Sequence, residues 1–181
     1  MKETSHLLLS LTVISIAAGV LVASVERLTR GPIARAKEAA EMAGIADVLP
    51  KDAGVPTKRL IPAANGTTNV VYVAGQCVAV KVATERGYGG RIEAIVGFDA
   101  EGTLYNYTVV AHAETPGLGS RIEDAFRTNV VGRPAGTAWK VKKDGGDIDA
   151  LASATISSRA MCGAIADAAR IRNEVIGGSG K

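Results

Sequence analysis

Apolar residues crowd the start of the chain. From Thr4 to Val25 no charge interrupts a run bounded by Glu3 and Glu26. Leu7 to Val25 is nearly all Leu, Val, Ile and Ala, with Ser10, Thr12 and Ser15 as mild exceptions. A hydrocarbon core of ~30 Å takes about 20 helical residues to cross, so the run predicts a transmembrane helix. A cleaved signal peptide is the competing reading, with Val22-Ala23-Ser24 as its cleavage site. Such peptides have an apolar part of about 7–15 residues behind a basic lead-in. Here the run is longer and Lys2 is the only base ahead of it, which favours an uncleaved single anchor.

The pattern then changes twice. Gly31-Pro32 predicts a helix break, and Ile33, Ala36, Ala40 and Ala43 recur at helical spacing in a second helix over Ile33 to Val48. Lys51 to Pro62 reads as loop. From Val70 the period becomes that of strands. Val70 to Val73 and Val78 to Val82 flank the short link Ala74-Gly75-Gln76-Cys77, and Ile92 to Phe98 and Leu104 to Val110 flank the turn Asp99-Ala100-Glu101-Gly102. Trp139-Lys140-Val141 predicts a short last strand. A closing helix over Ser158 to Val175 carries Met161, Ala164, Ile165, Ala168 and Ile171 on one face. Strands packed against two helices make an α+β domain with a mostly antiparallel sheet. The boundaries expected are a transmembrane anchor over 1–30, a juxtamembrane helix and linker over 31–66, and a folded domain over 67–181.

Composition narrows the function classes. The 181 residues are 47% hydrophobic, a figure inflated by the anchor, and the formal net charge of +3 comes from interleaved acids and bases. Nucleic-acid binders concentrate basic charge on one face, so no nucleic-acid partner is expected. Cys77 and Cys162 are too few for a cysteine-ligated cluster or a zinc ribbon, and read as two ordinary buried thiols. His6 and His112 stand too far apart to suggest a metal site, and His112 reads as a hydrogen-bonding residue at a strand end. No Ser–His–Asp set or phosphate-binding P-loop is present. The chain therefore lacks a catalytic constellation of its own.

Three segments stand out. Gly87-Tyr88-Gly89-Gly90 puts three glycines around one aromatic, which suits a flexible loop or a backbone that approaches a flat ligand closely. Glu114-Thr115-Pro116-Gly117-Leu118-Gly119 follows a strand with a tight turn, a hydroxyl and an apolar side chain, a mix that suits a ring edged with polar atoms. Asp149 to Ser158 leads into the last helix with hydroxyls at Ser153, Thr155, Ser157 and Ser158. A helix start needs one cap, and Ser157 would serve; the surplus hydroxyls beside unpaired amides suit a phosphate.

In this order, behind an amino-terminal anchor, the three segments resemble those of the FMN-binding subunits of membrane electron-transport complexes. These are the G subunit of Rnf-type complexes (RnfG) and the related C subunit of the Na+-translocating NADH:quinone reductase. That family's flavinylation motif is Asp, two variable residues, Ser or Thr, Gly, Ala, Thr, a variable residue, and Thr or Ser. Asp149, Ala154 and Thr155 fall on its fixed positions and Ser157-Ser158 follow, whereas Ala152-Ser153 replace the Ser/Thr-Gly pair. The short chain favours the Rnf-type family over the quinone-reductase one.

The resemblance implies a covalent FMN attached by an ApbE-type flavin transferase through a phosphoester to Thr155. Glu114, Thr115, Leu118, Gly119 and Tyr88 would border the ring, and Ala154, Ser157 and Ser158 would lie at the phosphate. It implies electron relay within a ferredoxin:NAD oxidoreductase complex coupled to ion transport, with the other subunits as partners. It also implies a domain on the outer, periplasmic face of the cytoplasmic membrane. The charge count points the other way, since Arg27, Arg30, Arg35 and Lys37 follow the anchor. A membrane-anchored module that holds flavin reversibly, as sensor or scaffold, is the alternative from another class.

Overall fold

The computed structural model describes residues 2–62 and 68–178. The expected linker boundary at 66/67 and the side chains of His6 and Lys37 lie outside the described residues. The chain divides into two compact units, Met1–Ala40 and Glu41–Lys181.

Helix α1 runs Lys2–Val48, with Pro32 inside it. The expected break at Gly31-Pro32 does not occur. A proline removes one backbone donor and crowds the preceding turn, yet the flanking Leu28 and Ile33 are exposed, so the freed carbonyl is not trapped in a core. Among the described residues α1 is the one helix long and apolar enough to cross a membrane by length and composition. Leu11, Ile14, Leu21 and Val22 face outward, as an apolar surface offered to lipid requires.

In the second unit five strands form a meander: β1 Thr57–Pro62, β2 Thr68–Ala74, β3 Cys77–Thr84, β4 Ile92–Phe98 and β5 Leu104–His112. They lie in sequence order and every neighbouring pair is antiparallel. The expected pairs are present. β1 departs from the sequence reading, which makes Lys51 to Pro62 a loop. Its residues do not alternate and nearly all are exposed, because β1 is an edge that hydrogen-bonds only to β2 and carries Lys58 and Arg59 outward.

Alternation along the central strands loads both faces of the sheet. Val78, Val80, Val82, Ile92, Val96 and Phe98 face one core with Tyr107, Met161 and Ile165. Tyr72, Ala74, Cys77, Ala79 and Ile95 face the other, beneath Ile45, Val48 and Leu49 at the end of α1. Gly97 lets that end lie close, because a Cβ there would overlap the Val48 carbonyl oxygen. The two cysteines are buried, free, and in different cores.

Between β5 and the last helix the chain winds through a 3-10 turn at Gly119–Ile122, the short helix α2 at Arg127–Val130 and a 3-10 turn at Lys142–Asp144. Helix α3, Thr155–Gly178, then covers the first face of the sheet and begins three residues earlier than its hydrophobic stripe indicates. Trp139-Lys140-Val141 does not form the expected strand. Val141 makes only an isolated parallel bridge to Ile148, while Trp139 is anchored by its Nε1–H donating to the Ala135 carbonyl at 3.1 Å. The apolar residues there plug the core edge.

Candidate functional site

The site forms where three chain turns meet at one end of the sheet. The loop at 85–91 links β3 to β4, the segment from Ala113 leaves β5, and Leu151 to Ser158 enters α3. Each is drawn in by Glu114. Its side chain is only 4% exposed, and its Oε1 accepts the Gly89 N–H at 3.0 Å. Its Oε2 accepts the Ser157 hydroxyl. The glycines make room for this carboxylate: a Cβ at Gly87 would overlap Oε1, and one at Gly119 would lie 2.5 Å from Oε2 and 2.8 Å from Ser157 Oγ. A Cβ at Gly89 would overlap the Ala113 carbonyl oxygen. The close backbone approach expected of the Gly-Tyr-Gly-Gly loop is thus made to the protein's own strand end.

His112 steadies the same corner. Its Nδ1 accepts the Glu114 N–H at 3.0 Å, so the proton of the neutral ring sits on Nε2, 2.9 Å from Glu123 Oε1. This is the hydrogen-bonding role expected of a histidine at a strand end.

The start of α3 is built differently from the expectation of a Ser157 cap. Ser157 points at Glu114. Ser158 holds the preceding turn, with its Oγ accepting the Leu151 N–H and donating to the Ala154 carbonyl, both at 2.9 Å. Ser153 takes φ 61°, the left-handed region in which a side chain is disfavoured and glycine is not. That turn leaves Thr155 as the first residue of the helix, half-buried. Among the described residues its hydroxyl engages no other group of the chain, unlike those of Ser157 and Ser158.

Beside Thr155 lies a cavity of about 500 Å³. Tyr88, Glu114, Thr115, Leu118, Gly119, Ala154, Thr155 and Ser157 line it, together with Ser153 and Ile156. The structure therefore brings together every site residue read from the sequence except Ser158, whose hydroxyl is turned into the protein. Ser153, one of the hydroxyls noted ahead of the last helix, lines the cavity as well, and Ile156, left 47% exposed, is the lining residue that the sequence reading misses. Tyr88 and Leu118, 69% and 45% exposed, form the rim. Apolar walls with a few converging polar groups are the usual make-up of a small-molecule site, and the volume lies within the usual range of about 300–1,000 Å³.

Thr155 and Ser153 also border a second cavity of about 280 Å³. Its wall carries Lys142, Lys143 and Asp149, with Lys142 Nζ paired to Asp149 at 2.8 Å. Arg159 Nε and Nη2 reach both oxygens of Asp144 at 2.7 and 2.6 Å, which ties the 3-10 turn to α3. This guanidinium holds the Asp144 carboxyl below its usual value. The free Thr155 hydroxyl thus stands between a largely apolar cavity and a groove edged with lysines, at the amino end of a long helix where backbone amides favour an anion. A flat ring with an attached phosphate fits that arrangement.

A family model described as an FMN-binding domain matches residues 87–170, a span that contains every residue lining the larger cavity. Curated relatives named as the G subunit of the ion-translocating oxidoreductase complex are similar to this chain. The one from Pseudomonas aeruginosa is 39% identical over 83% of this chain and 79% of its own. The one from Cereibacter sphaeroides is 37% identical over 89% of this chain and 80% of its own. A third, from Cronobacter sakazakii, is 38% identical over 60% of this chain and 52% of its own. The first two identities extend over most of both chains, which shows common descent: the chain belongs to the family of G subunits of ion-translocating oxidoreductase complexes.

Proposed function

We propose that this chain carries FMN covalently on Thr155 and relays electrons as an anchored member of an Rnf-type ferredoxin:NAD oxidoreductase complex coupled to ion transport. The observation that carries the reading is the setting of Thr155. Its hydroxyl engages no other group among the described residues, stands at the first residue of α3, and borders the cavity whose lining falls within the match to an FMN-binding domain.

When bound, FMN supplies the capacity to accept and pass single electrons. The chain's own residues bind and orient it. Leu118, Ile156 and Tyr88 offer apolar surface to a ring, and the small Ala154 keeps the wall open. Glu114 and Thr115 supply polar groups along the same wall. The backbone amides opening α3 would hold the phosphate, while Ser158 holds the turn before Thr155. The roles of these residues, the boundaries 1–30, 31–66 and 67–181, attachment by an ApbE-type transferase, and a periplasmic domain all belong to this proposal. A tether is physically sensible there, since released FMN would be diluted away.

Expression of the full chain with a flavin transferase, followed by a denaturing gel, tests it. A fluorescent band at the mass of the chain is expected, and Thr155→Val should abolish it. Persistence of the band in that variant would move the attachment to Ser157 or Ser158. Flavin that co-purifies but leaves no band would favour the reversible, non-covalent module instead, a reading to which the side chain of Ser153 beside the acceptor lends support.

A further inference from the structure

Glu114 is the one acidic side chain on the wall of the larger cavity, and its surroundings are unusual for a carboxylate. It is 4% exposed, and both oxygens accept from neutral donors, the Gly89 N–H and the Ser157 O–H. Among the described residues no lysine or arginine forms an ion pair with it. Buried carboxylates are ordinarily matched with a cation, because desolvated charge is costly. Here two glycine-bearing segments and the start of α3 fold around an unmatched one at the wall of the cavity. A clamp alone would not need the charge: a neutral amide could accept the Gly89 N–H on its oxygen and donate from its nitrogen to the Ser157 hydroxyl.

We propose that Glu114 is the charge-setting residue of the site: its carboxylate lowers the tendency of a ring in the cavity to take up an electron. The inference rests on the proposed flavin. Adding an electron to a ring beside a fixed negative charge brings like charges together in a setting that screens them poorly. The ring is thereby held as a stronger reductant toward whatever accepts its electron. Ser157 moderates the effect by donating to Oε2.

Stepwise dithionite titration of the flavin-loaded full chain, with dyes of known potential, measures this directly; dithionite is oxidised as the flavin is reduced by one electron. Glu114→Gln keeps the shape and removes the charge. It is expected to raise the reduced-to-oxidised ratio at a fixed potential roughly tenfold, about 59 mV for a one-electron couple. Glu114→Asp keeps the charge and is expected to stay on the wild-type side. Thermal melting of the unloaded variants reads the loss of the clamp separately. Equal potentials in wild type and Glu114→Gln overturn the role of Glu114 and leave the flavin intact. A wild-type chain that holds no flavin overturns both readings together. Where Glu114→Gln fails to load, Ser157→Ala supplies the comparison: loss of the donor should lower the potential, and an unchanged or raised value overturns the proposal.

Discussion

Ser157 donates its hydroxyl to the Glu114 carboxylate across 43 positions of chain, joining the first turn of α3 to the segment that leaves β5. The two residues are 1% and 4% exposed. One hydrogen bond thereby fixes the distance between the two stretches that wall the cavity, with Thr115 and Leu118 on one side and Ala154 and Thr155 on the other. Ser157→Ala should leave a buried acceptor unsatisfied and cost about 1–3 kcal/mol of stability. Chemical denaturation of the unloaded chain should show a lower midpoint at unchanged slope.

The left-handed conformation of Ser153 gives a prediction with the opposite sign. At φ 61° an L-residue bears about 1–2 kcal/mol of strain, whereas glycine bears none but costs about 0.5–1 kcal/mol in chain entropy. Ser153→Gly should therefore be stabilising by on the order of 0.5 kcal/mol. It should also label with flavin at least as well as the parent. Ser153→Val, branched at Cβ, should lower both the melting temperature and the labelled fraction.

Glycines in this domain divide by what a methyl group would strike. At Gly89 a Cβ overlaps the Ala113 carbonyl oxygen, which is backbone and cannot swing aside. Gly89→Ala should destabilise by about 2 kcal/mol or more and reduce flavin incorporation, because the 85–91 loop must lift from Glu114. At Gly163, inside α3, nothing lies within 4 Å of the added carbon. Gly163→Ala should stabilise by up to about 1 kcal/mol through helix propensity alone. Thermal melts of the two variants side by side check the contrast.

The cysteines predict a pH dependence. Burial, chiefly, with a smaller push from Asp144 against a pull from Arg133, raises the Cys162 thiol from 9.0 to about 12. Cys77 is likewise raised, by burial first and then by Asp99, Asp52 and Glu101. A thiol whose folded value lies above its unfolded one stabilises the native state fully below the unfolded value only relative to higher pH, and that contribution fades as the pH climbs toward the folded value. The Cys162 contribution should be constant below pH about 9 and change between about 9 and 12, where the unfolded thiol ionises and the folded one does not. Ionisation that only the unfolded chain can undergo favours unfolding, so the change is a fall. At pH 8 neither thiol should react with an aromatic disulfide reagent until the protein is denatured, when both should. Fast labelling of either one in the native protein would contradict the burial.

Much of the fold is legible in the sequence because it depends on local pattern. Alternation in Val78 to Val82 and Ile92 to Phe98 marks strands whatever their neighbours, and Asp99 to Gly102 is a turn by composition. β1 escapes such a reading because an edge strand buries almost nothing and so leaves no alternation. Trp139 to Val141 misleads for the converse reason: apolar residues filling a core edge resemble a strand without pairing as one. Pro32 misleads because its rule concerns an average helix interior, while here the neighbouring turn is exposed.

Spacing and residue type are enough to specify the apolar run, the strand pairs, the antiparallel α+β class and, through three separated motifs, the family and most residues of the cavity. What each site residue does is a matter of packing. The glycines of the 87–90 loop make room for a carboxylate and a strand end, Ser157 holds Glu114, and Ser158 holds the turn before α3. Thr155 is left, among the described residues, with a hydroxyl that engages no other group of the chain. A hydrogen bond between residues 43 positions apart depends on how the sheet and α3 come together, and no local stretch of the chain contains that arrangement.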